Sequence, residues 1–147
     1  MKDKHFKDTV ENIICDDSRF SYGAYEFISK AVAYTVQKIS STKKATATNH
    51  ISGYELLCGI SDFAVQKFGP LAYEVLKSWG LKDSLSIGYV VFNMVDYSLL
   101  GKSDEDDIQD FENAFNLKNE LTTRFLPSDG YKSQEILPID LNDLYKV

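Results

Sequence analysis

The chain has 147 residues with a formal net charge of −6, and hydrophobic residues make up 44% of it. That length and composition can bury one core without disulfides or metals, and they exclude a largely disordered chain. No apolar run approaches the roughly 20 residues of a membrane span, and no signal-peptide pattern follows Met1, so we expect a cytoplasmic protein. The two cysteines, Cys15 and Cys58, are typical of reduced, buried thiols rather than of a disulfide framework.

The acidity is concentrated in the last third of the chain. Residues 1–50 carry 8 Lys and Arg against 6 Asp and Glu, residues 51–100 carry 3 against 5, and residues 101–147 carry 5 against 11. A nucleic-acid-binding surface needs clustered basic residues, and only Lys43-Lys44 stands out. The charge distribution therefore argues against nucleic acid as a partner.

The first fifty residues predict two helices and a loop. Residues 5–15 place apolar side chains on one side of a first helix, and a short run of Asp and Ser interrupts it. A second, longer helix follows Ser21, with apolar residues recurring every three or four positions as far as Ile39. Residues 40–49 are mostly polar, which predicts a solvated loop.

Three helices in close succession are predicted between residues 50 and 101, and the rest of the chain is expected to pack on them. Ser52 and Glu55 form a capping-box pair at the start of the first helix. The Phe-Gly-Pro sequence at residues 68–70 and the later Gly80 mark the next two joints, because glycine ends helices and proline suits a first helical turn.

The last of these three helices, about residues 84–98, is apolar on both sides. One side holds an aliphatic stripe, and the other is rich in aromatic residues. Such a helix is either central to a core or half of an interface, and the sequence leaves both interpretations open. Trp79, at the end of the preceding helix, is expected to lie mostly buried between its own helix and another one.

Beyond these helices the sequence predicts a small β-hairpin and a short helix. Residues 99–103 form one strand, residues 104–107 the tip and residues 108–111 the return strand, and a helix covers about residues 117–124. The expected fold is mainly α. It is a compact domain of five or six helices over residues 1–127, with a small β-hairpin that makes it winged-helix-like.

The last residues, 128–147, form an acidic and apolar C-terminal tail outside that domain. Its apolar residues are too many for a purely solvating segment; they are Ile136, Leu137, Ile139, Leu141 and Leu144. Pro138 rules out one continuous helix and biases the residue before it toward an extended conformation. Two outcomes are left open: the strip covers an apolar patch on the domain or on a partner copy, or it stays loose.

Several short motifs together resemble a family of small, functionally uncharacterised bacterial proteins. The motifs are RFSYGAYEF at 19–27, HISG with LL at 50–57, FGP at 68–70, WG at 79–80, GYVVFNMV at 88–95, LLGK at 99–102, DF at 110–111 and FLP at 125–127. The resemblance covers about residues 12–127 and departs from the family pattern at Ser18, where its members have proline. Because that family has no assigned activity, the resemblance implies neither a substrate nor a cofactor.

The sequence contains no recognised catalytic or phosphate-binding motif and no Cys-x-x-Cys, so we predict no catalytic residue, no metal and no cofactor. A zinc site would need both cysteines and both histidines, His5 and His50, to converge, and their spacing does not favour this. The acidic run at residues 104–107 lacks the ligand spacing of a calcium loop, which favours a solvated turn. Cys58, on an apolar helix, is typical of a core thiol rather than a nucleophile.

Arg19 with Tyr22, Tyr25 and Glu26 is the strongest candidate for a functional cluster. One interpretation is an Arg–Glu pair that ties a loop to the following helix. The other is a recognition surface, because Tyr and Arg are enriched at binding hot spots. His50, just before a helix N-cap, is typical of an imidazole that bonds the backbone, since a general base needs a partner group within reach. These five residues are the candidate interaction residues.

The missing catalytic motifs, the many tyrosines and the acidic, apolar tail favour a non-enzymatic protein-interaction module or regulatory adaptor. Its partner is an unknown protein, and self-association is left open. A winged-helix nucleic-acid-binding regulator is the second hypothesis; it rests on topology alone, and the helix over residues 84–98 has no Lys or Arg to read bases. An enzyme whose site assembles from scattered residues is the third.

Overall fold

The structure is a computed structural model that describes residues 2–42, 51–101, 107–112 and 114–123. Over this part of the chain it is mainly helical, as predicted, and contains no strand. The α-helices of the described residues are α1 (Lys2–Asp16), α2 (Tyr22–Thr42), α3 (Gly53–Phe68), α4 (Ala72–Ser78), α5 (Ser84–Asp96) and α6 (Leu117–Thr122). Two 3₁₀ helices, Gly69–Leu71 and Ile108–Phe111, lie before α4 and before α6.

The predicted capping box fixes the start of α3, and an aspartate caps α5. At α3 the Glu55 N–H donates to the Ser52 hydroxyl at 3.1 Å, and the Ser52 N–H donates to the Glu55 carboxylate at the same distance. At α5 the cap is Asp83, whose carboxylate accepts the Ser86 N–H at 2.8 Å. Gly69, with φ at 57°, ends α3 in a conformation that favours glycine.

Helices α2 and α3 approach closely where Gly59 faces Thr35. A Cβ atom placed at Gly59 would lie 2.7 Å from the Thr35 Cβ, closer than real side chains come. The Thr35 hydroxyl is buried and donates to the Ala31 carbonyl of its own helix at 2.8 Å. Gly59 therefore lets the backbones of α2 and α3 approach each other in the core, and the Thr35 hydroxyl needs no partner from α3 because it is hydrogen-bonded within α2.

Helix α5 lies at the centre of the core, in contact with α1, α2 and the second 3₁₀ helix. Ile87, Val90 and Met94 on its inner side are fully buried. The other buried apolar residues around them come from every remaining α-helix, for example Ile13, Tyr25, Leu57, Leu76 and Leu121. The core interpretation of α5 is confirmed for this inner side.

The predicted return strand at residues 108–111 is wrong, because those residues form a 3₁₀ helix. Asp107 caps it by accepting the Gln109 N–H at 2.9 Å, and a helical turn then buries Phe111 against α5. The Ser84 hydroxyl of α5 donates to the Phe111 carbonyl at 2.6 Å and fixes the segment there. Residues 99–101 of the predicted first strand are described and form no strand. Residues 102–106, which hold the rest of that strand and most of the predicted tip, and the tail at 128–147 lie outside the described residues.

Trp79 is partly buried rather than fully enclosed, and it does lie between helices. Its ring packs on Phe27 of α2 and Phe68 of α3, with centroids 5.7 and 5.9 Å away. Gly23 leaves room for it, since a Cβ there would lie 2.9 Å from the Trp79 Cδ1. The prediction of buried cysteines is wrong for Cys15, which is exposed on α1, and Cys58 on α3 is only partly buried.

Candidate interaction surfaces

Arg19 lies in the loop between α1 and α2, and its partner there is Asp17 rather than Glu26. Its Nη2 and Nε atoms lie 2.6 and 2.9 Å from the two Asp17 carboxylate oxygens, which makes the pair bidentate. The guanidinium also lies over the Tyr89 ring of α5, with Cζ 4.3 Å from the ring centroid. The charge of Arg19 therefore pairs with Asp17 inside the loop, while the flat face of its guanidinium holds the loop against Tyr89 of α5.

Asn93 of α5 extends this contact into the core. Its amide nitrogen donates to the Asp17 carboxylate at 3.0 Å and to the Tyr25 hydroxyl at 3.1 Å, so one side chain joins α5 to the loop and to α2. One turn on, the Tyr97 hydroxyl donates to the carboxylate of Asp16 at the end of α1. We call the set the polar seam; it comprises Asp16, Asp17, Arg19, Tyr25, Tyr89, Asn93 and Tyr97.

The electrostatics of the polar seam follow from these contacts. The hydrogen bonds from Arg19 hold the pKa of the Asp17 carboxyl well below its usual range, and partial burial opposes this only in part. Bonding to Asp17 correspondingly raises the pKa of Arg19. Burial raises the pKa of the Tyr25 hydroxyl, whose ring is fully enclosed. The seam holds a fixed ion pair and a neutral phenol, an arrangement suited to joining helices.

The structure separates the predicted interaction residues. Arg19 and Tyr25 meet in the polar seam through their shared neighbours. Tyr22 instead packs edge-on against Phe6 of α1, with centroids 6.1 Å apart, and Glu26 is exposed on another side of α2. The predicted Arg–Glu tie is therefore an Arg–Asp tie, because the bidentate partner lies two residues away in the same loop. His50 lies outside the described residues.

Glu26 belongs to a small aromatic hollow of about 160 Å³. Phe27, Phe63, Phe68 and Trp79 form its floor, and Glu26, Lys30 and Lys67 stand on its rim. Two larger surface hollows, of about 430 and 640 Å³, lie on either side of the start of α5. Charged side chains line both, Lys82 and Asp83 among them. These three hollows are mixed in polarity, with acids beside bases.

A fourth depression has a different character. It lies between α2, the start of α3, the second half of α5 and the second 3₁₀ helix, with a volume of about 240 Å³. We call it the apolar groove, because its described lining consists entirely of apolar residues and glycine; they are Val32, Val36, Ile51, Gly53, Leu56, Val91, Phe92, Val95, Leu100, Gly101 and Phe111. Val36 is 43% exposed there, and Val32, one turn earlier on α2, is half-buried.

The sequence pattern assigned Val32 and Val36 to the buried side of α2, but it could not show that this side continues past the core. The groove side of α5, around Phe92, was part of the two-sided apolar pattern that suggested an interface. That pattern was the signal available in the sequence. The sequence does not show how α2, α3 and α5 pack on one another, and this packing is what places Val32, Val36 and Phe92 beside Leu56 of α3.

The described residues hold no group of three or more His, Cys, Asp or Glu side chains arranged to bind a metal ion. No helix among them is long and apolar enough to cross a bilayer. The Tyr54 hydroxyl bonds to Cys58 one turn further along α3, and this bond raises the pKa of Tyr54.

No protein-family model matches the chain, and no curated protein or solved structure is significantly similar to it.

Proposed function

We propose that the protein is a non-enzymatic interaction module that binds an extended, aliphatic segment of a partner protein in the apolar groove. One observation carries this proposal: a concave surface of about 240 Å³ whose described lining has no polar side chain. Apolar side chains that line a concave surface favour the binding of an apolar group from a partner, because the contact removes both from water.

The groove has the features of a binding-site centre rather than of a packing defect. Charged residues are depleted at the centres of interfaces and aromatic residues are enriched there. Phe92 supplies the aromatic residue and stacks edge-on against Phe111, with centroids 5.9 Å apart. Val36 and Leu56 form the opposite wall from two other helices, so the groove has preformed sides. A preformed site costs less ordering entropy on binding.

The two other hypotheses rank below this one. A winged-helix regulator would use α4, the following turn and α5 to reach nucleic acid, but α5 carries no Lys or Arg to contact phosphates or bases. An enzyme would need an acid, base or nucleophile with a partner in reach. The polar seam brings such groups together, but they are hydrogen-bonded to one another, and this arrangement does not favour their contact with a substrate.

Selection from a displayed library of random peptides on the immobilised full-length protein tests the proposed function. We expect enriched sequences to be rich in aliphatic residues and to lose binding at least tenfold with the variant Val36→Glu, which places a charge in the groove. The matched control is Gln37→Glu, which adds the same charge to the exposed neighbour on α2. If no sequence is enriched on either the full-length protein or its Leu137→Glu/Ile139→Glu variant, in which charges replace two aliphatic residues of the tail, the apolar groove is not the binding site. The same conclusion follows if the selected peptides bind Val36→Glu as well as the control.

A further inference from the structure

We propose that the chain's own C-terminal strip, residues 136–144, occupies the apolar groove of the same molecule until a partner segment displaces it. This inference rests on the proposed function, because it names the regulation of the same site. It follows from three observations: the groove's composition, the composition of the chain outside the described residues, and the length of chain that joins the two.

The strip has the chemistry that the groove requires. Five of its nine residues are aliphatic, Ile136, Leu137, Ile139, Leu141 and Leu144, and Pro138 disfavours a helix through them. Pro138 also biases Leu137 toward the extended conformation in which neighbouring side chains point to opposite sides. A volume of about 240 Å³ accommodates about two aliphatic side chains, given that a cavity of about 150 Å³ holds one benzene. The strip can therefore fill the groove with a few of its residues and leave its acids in water.

The two internal stretches outside the described residues, 43–50 and 102–106, cannot supply such an occupant. Residues 43–50 contain Lys, Ala, Thr, Asn and His, and residues 102–106 contain Lys, Ser, Asp and Glu. Neither stretch holds a Val, Ile, Leu, Met or Phe, although both adjoin the groove's lining at Ile51 and Gly101. An aliphatic occupant from this chain has to come from the C-terminal side.

The connecting chain is long enough to bring the strip there. Twelve residues, 124–135, separate Thr123 at the end of α6 from Ile136. At about 3.3 Å per residue they span up to about 40 Å, whereas a domain of this length has a radius of gyration of about 15 Å. A tether of this length keeps the strip at an effective concentration on the order of millimolar. At micromolar protein concentration the tethered strip of the same molecule therefore outcompetes the strip of a second copy for the groove.

The test measures how the full-length protein binds a fluorescently labelled peptide of residues 134–146 by polarisation. We expect weak binding to the unaltered protein, because its own strip competes. The double variant Leu137→Glu/Ile139→Glu vacates the groove and is expected to bind the peptide about tenfold or more tightly. Adding Val36→Glu to that variant should abolish the gain. The matched control, Ser133→Glu/Gln134→Glu, places two new charges in the same tail outside the strip and should bind as the unaltered protein does.

Circular dichroism checks that each variant keeps its helical signal, and Val36→Thr replaces Val36→Glu if the latter does not fold. The inference is overturned if the double variant binds the peptide no better than the control does. It is also overturned if the unaltered protein sediments as a dimer that the double variant dissociates, because the occupant is then a second copy. In both cases the library-selected peptides still report on the groove, so the proposed function can stand when this inference fails.

Discussion

The two flanks of α5 meet their neighbours in opposite ways. On one flank Tyr89, Asn93 and Tyr97 join the loop between α1 and α2 in the polar seam, where donors meet acceptors at hydrogen-bonding distance. On the other flank Val91, Phe92 and Val95 line the apolar groove, which remains open in the part of the chain that the structure describes. The same helix therefore completes its polar contacts within the fold on one flank, and on the other flank it forms a wall of the groove that the described residues enclose.

This difference supports the apolar groove, rather than the polar seam, as the proposed binding surface. Buried polar groups are costly to leave unpaired, and those of the polar seam are already hydrogen-bonded to one another. A ligand that bound there would have to replace existing hydrogen bonds and would gain little free energy. An open apolar surface gains roughly 25 cal/mol for each square ångström that a partner removes from water. The strongest polar cluster in the sequence therefore stabilises the fold, and the less conspicuous aliphatic flank is the better candidate for recognition.

The largest expected effect comes from Gly88, which lets the second 3₁₀ helix approach α5 and form one wall of the groove. A Cβ at Gly88 would lie 2.6 Å from the Phe111 Cβ and 3.0 Å from the Ile108 Cδ1. We expect Gly88→Val to lower the free energy of unfolding by about 3 kcal/mol through overpacking, measured by urea denaturation. Gly101→Val is the control, because a Cβ there meets no atom of the described residues within 4 Å, and its effect should stay within about 0.5 kcal/mol. Equal stability of the two variants would mean that the wall does not rest on α5.

The next effect tests the polar flank. Asn93→Leu keeps the side-chain size but removes the donor that Asp17 and Tyr25 share, so we expect a loss of about 2 kcal/mol. Tyr25→Phe alone should cost about 1 kcal/mol. The double variant should cost less than the two losses added together, because both changes remove the same bond. Strict additivity in thermal or urea unfolding would show that the two residues act independently and that the seam is not one unit.

The smallest effect concerns the exposed end of the seam. Asp17→Asn should cost about 1 kcal/mol at neutral pH, a modest value because the Arg19 side chain is 54% exposed and solvent screens the pair. The folded pKa of Asp17 lies below its ordinary value of 3.8, so its stabilisation is present above about pH 4 and is lost as the pH falls toward the folded value. We therefore expect the variant to lose less stability than the unaltered protein on acidification from pH 4 to pH 2. Parallel stability curves in this range would contradict the role of the ion pair.

Local features of the fold were predictable from the sequence, because their causes lie within a few residues. The capping box at Ser52 and Glu55 needs only neighbours three positions apart, and glycine and proline end helices through their own backbone preferences. The apolar spacing of α5 likewise predicted a helix, although it left open whether that helix lies in the core or forms half of an interface. The 3₁₀ helix at Ile108–Phe111 was mistaken for a strand, since four residues carry too little periodicity to separate the two.

The candidate surfaces were less predictable, because they depend on contacts between distant parts of the chain. Asn93 and Asp17 are 76 positions apart, and nothing in the sequence marks Asn93 as the group that links Asp17 to Tyr25. One of the two interpretations of the Arg19 cluster paired Arg19 with Glu26 on the following helix, whereas its partner is Asp17 in the same loop. Whether Val36 lies inside the core or at its edge depends on how far α3 extends beside α2, which is a property of packing.

The close approach of α2 and α3 limits how this sequence can diverge. Because Gly59 faces the Thr35 side chain with no room for a Cβ, a larger residue at position 59 requires a smaller one at position 35 or a wider separation of the helices. The two positions, 24 apart in the chain, are therefore expected to change together during evolution. Distant relatives that keep this architecture should show that paired substitution pattern even where little else in their sequences is shared.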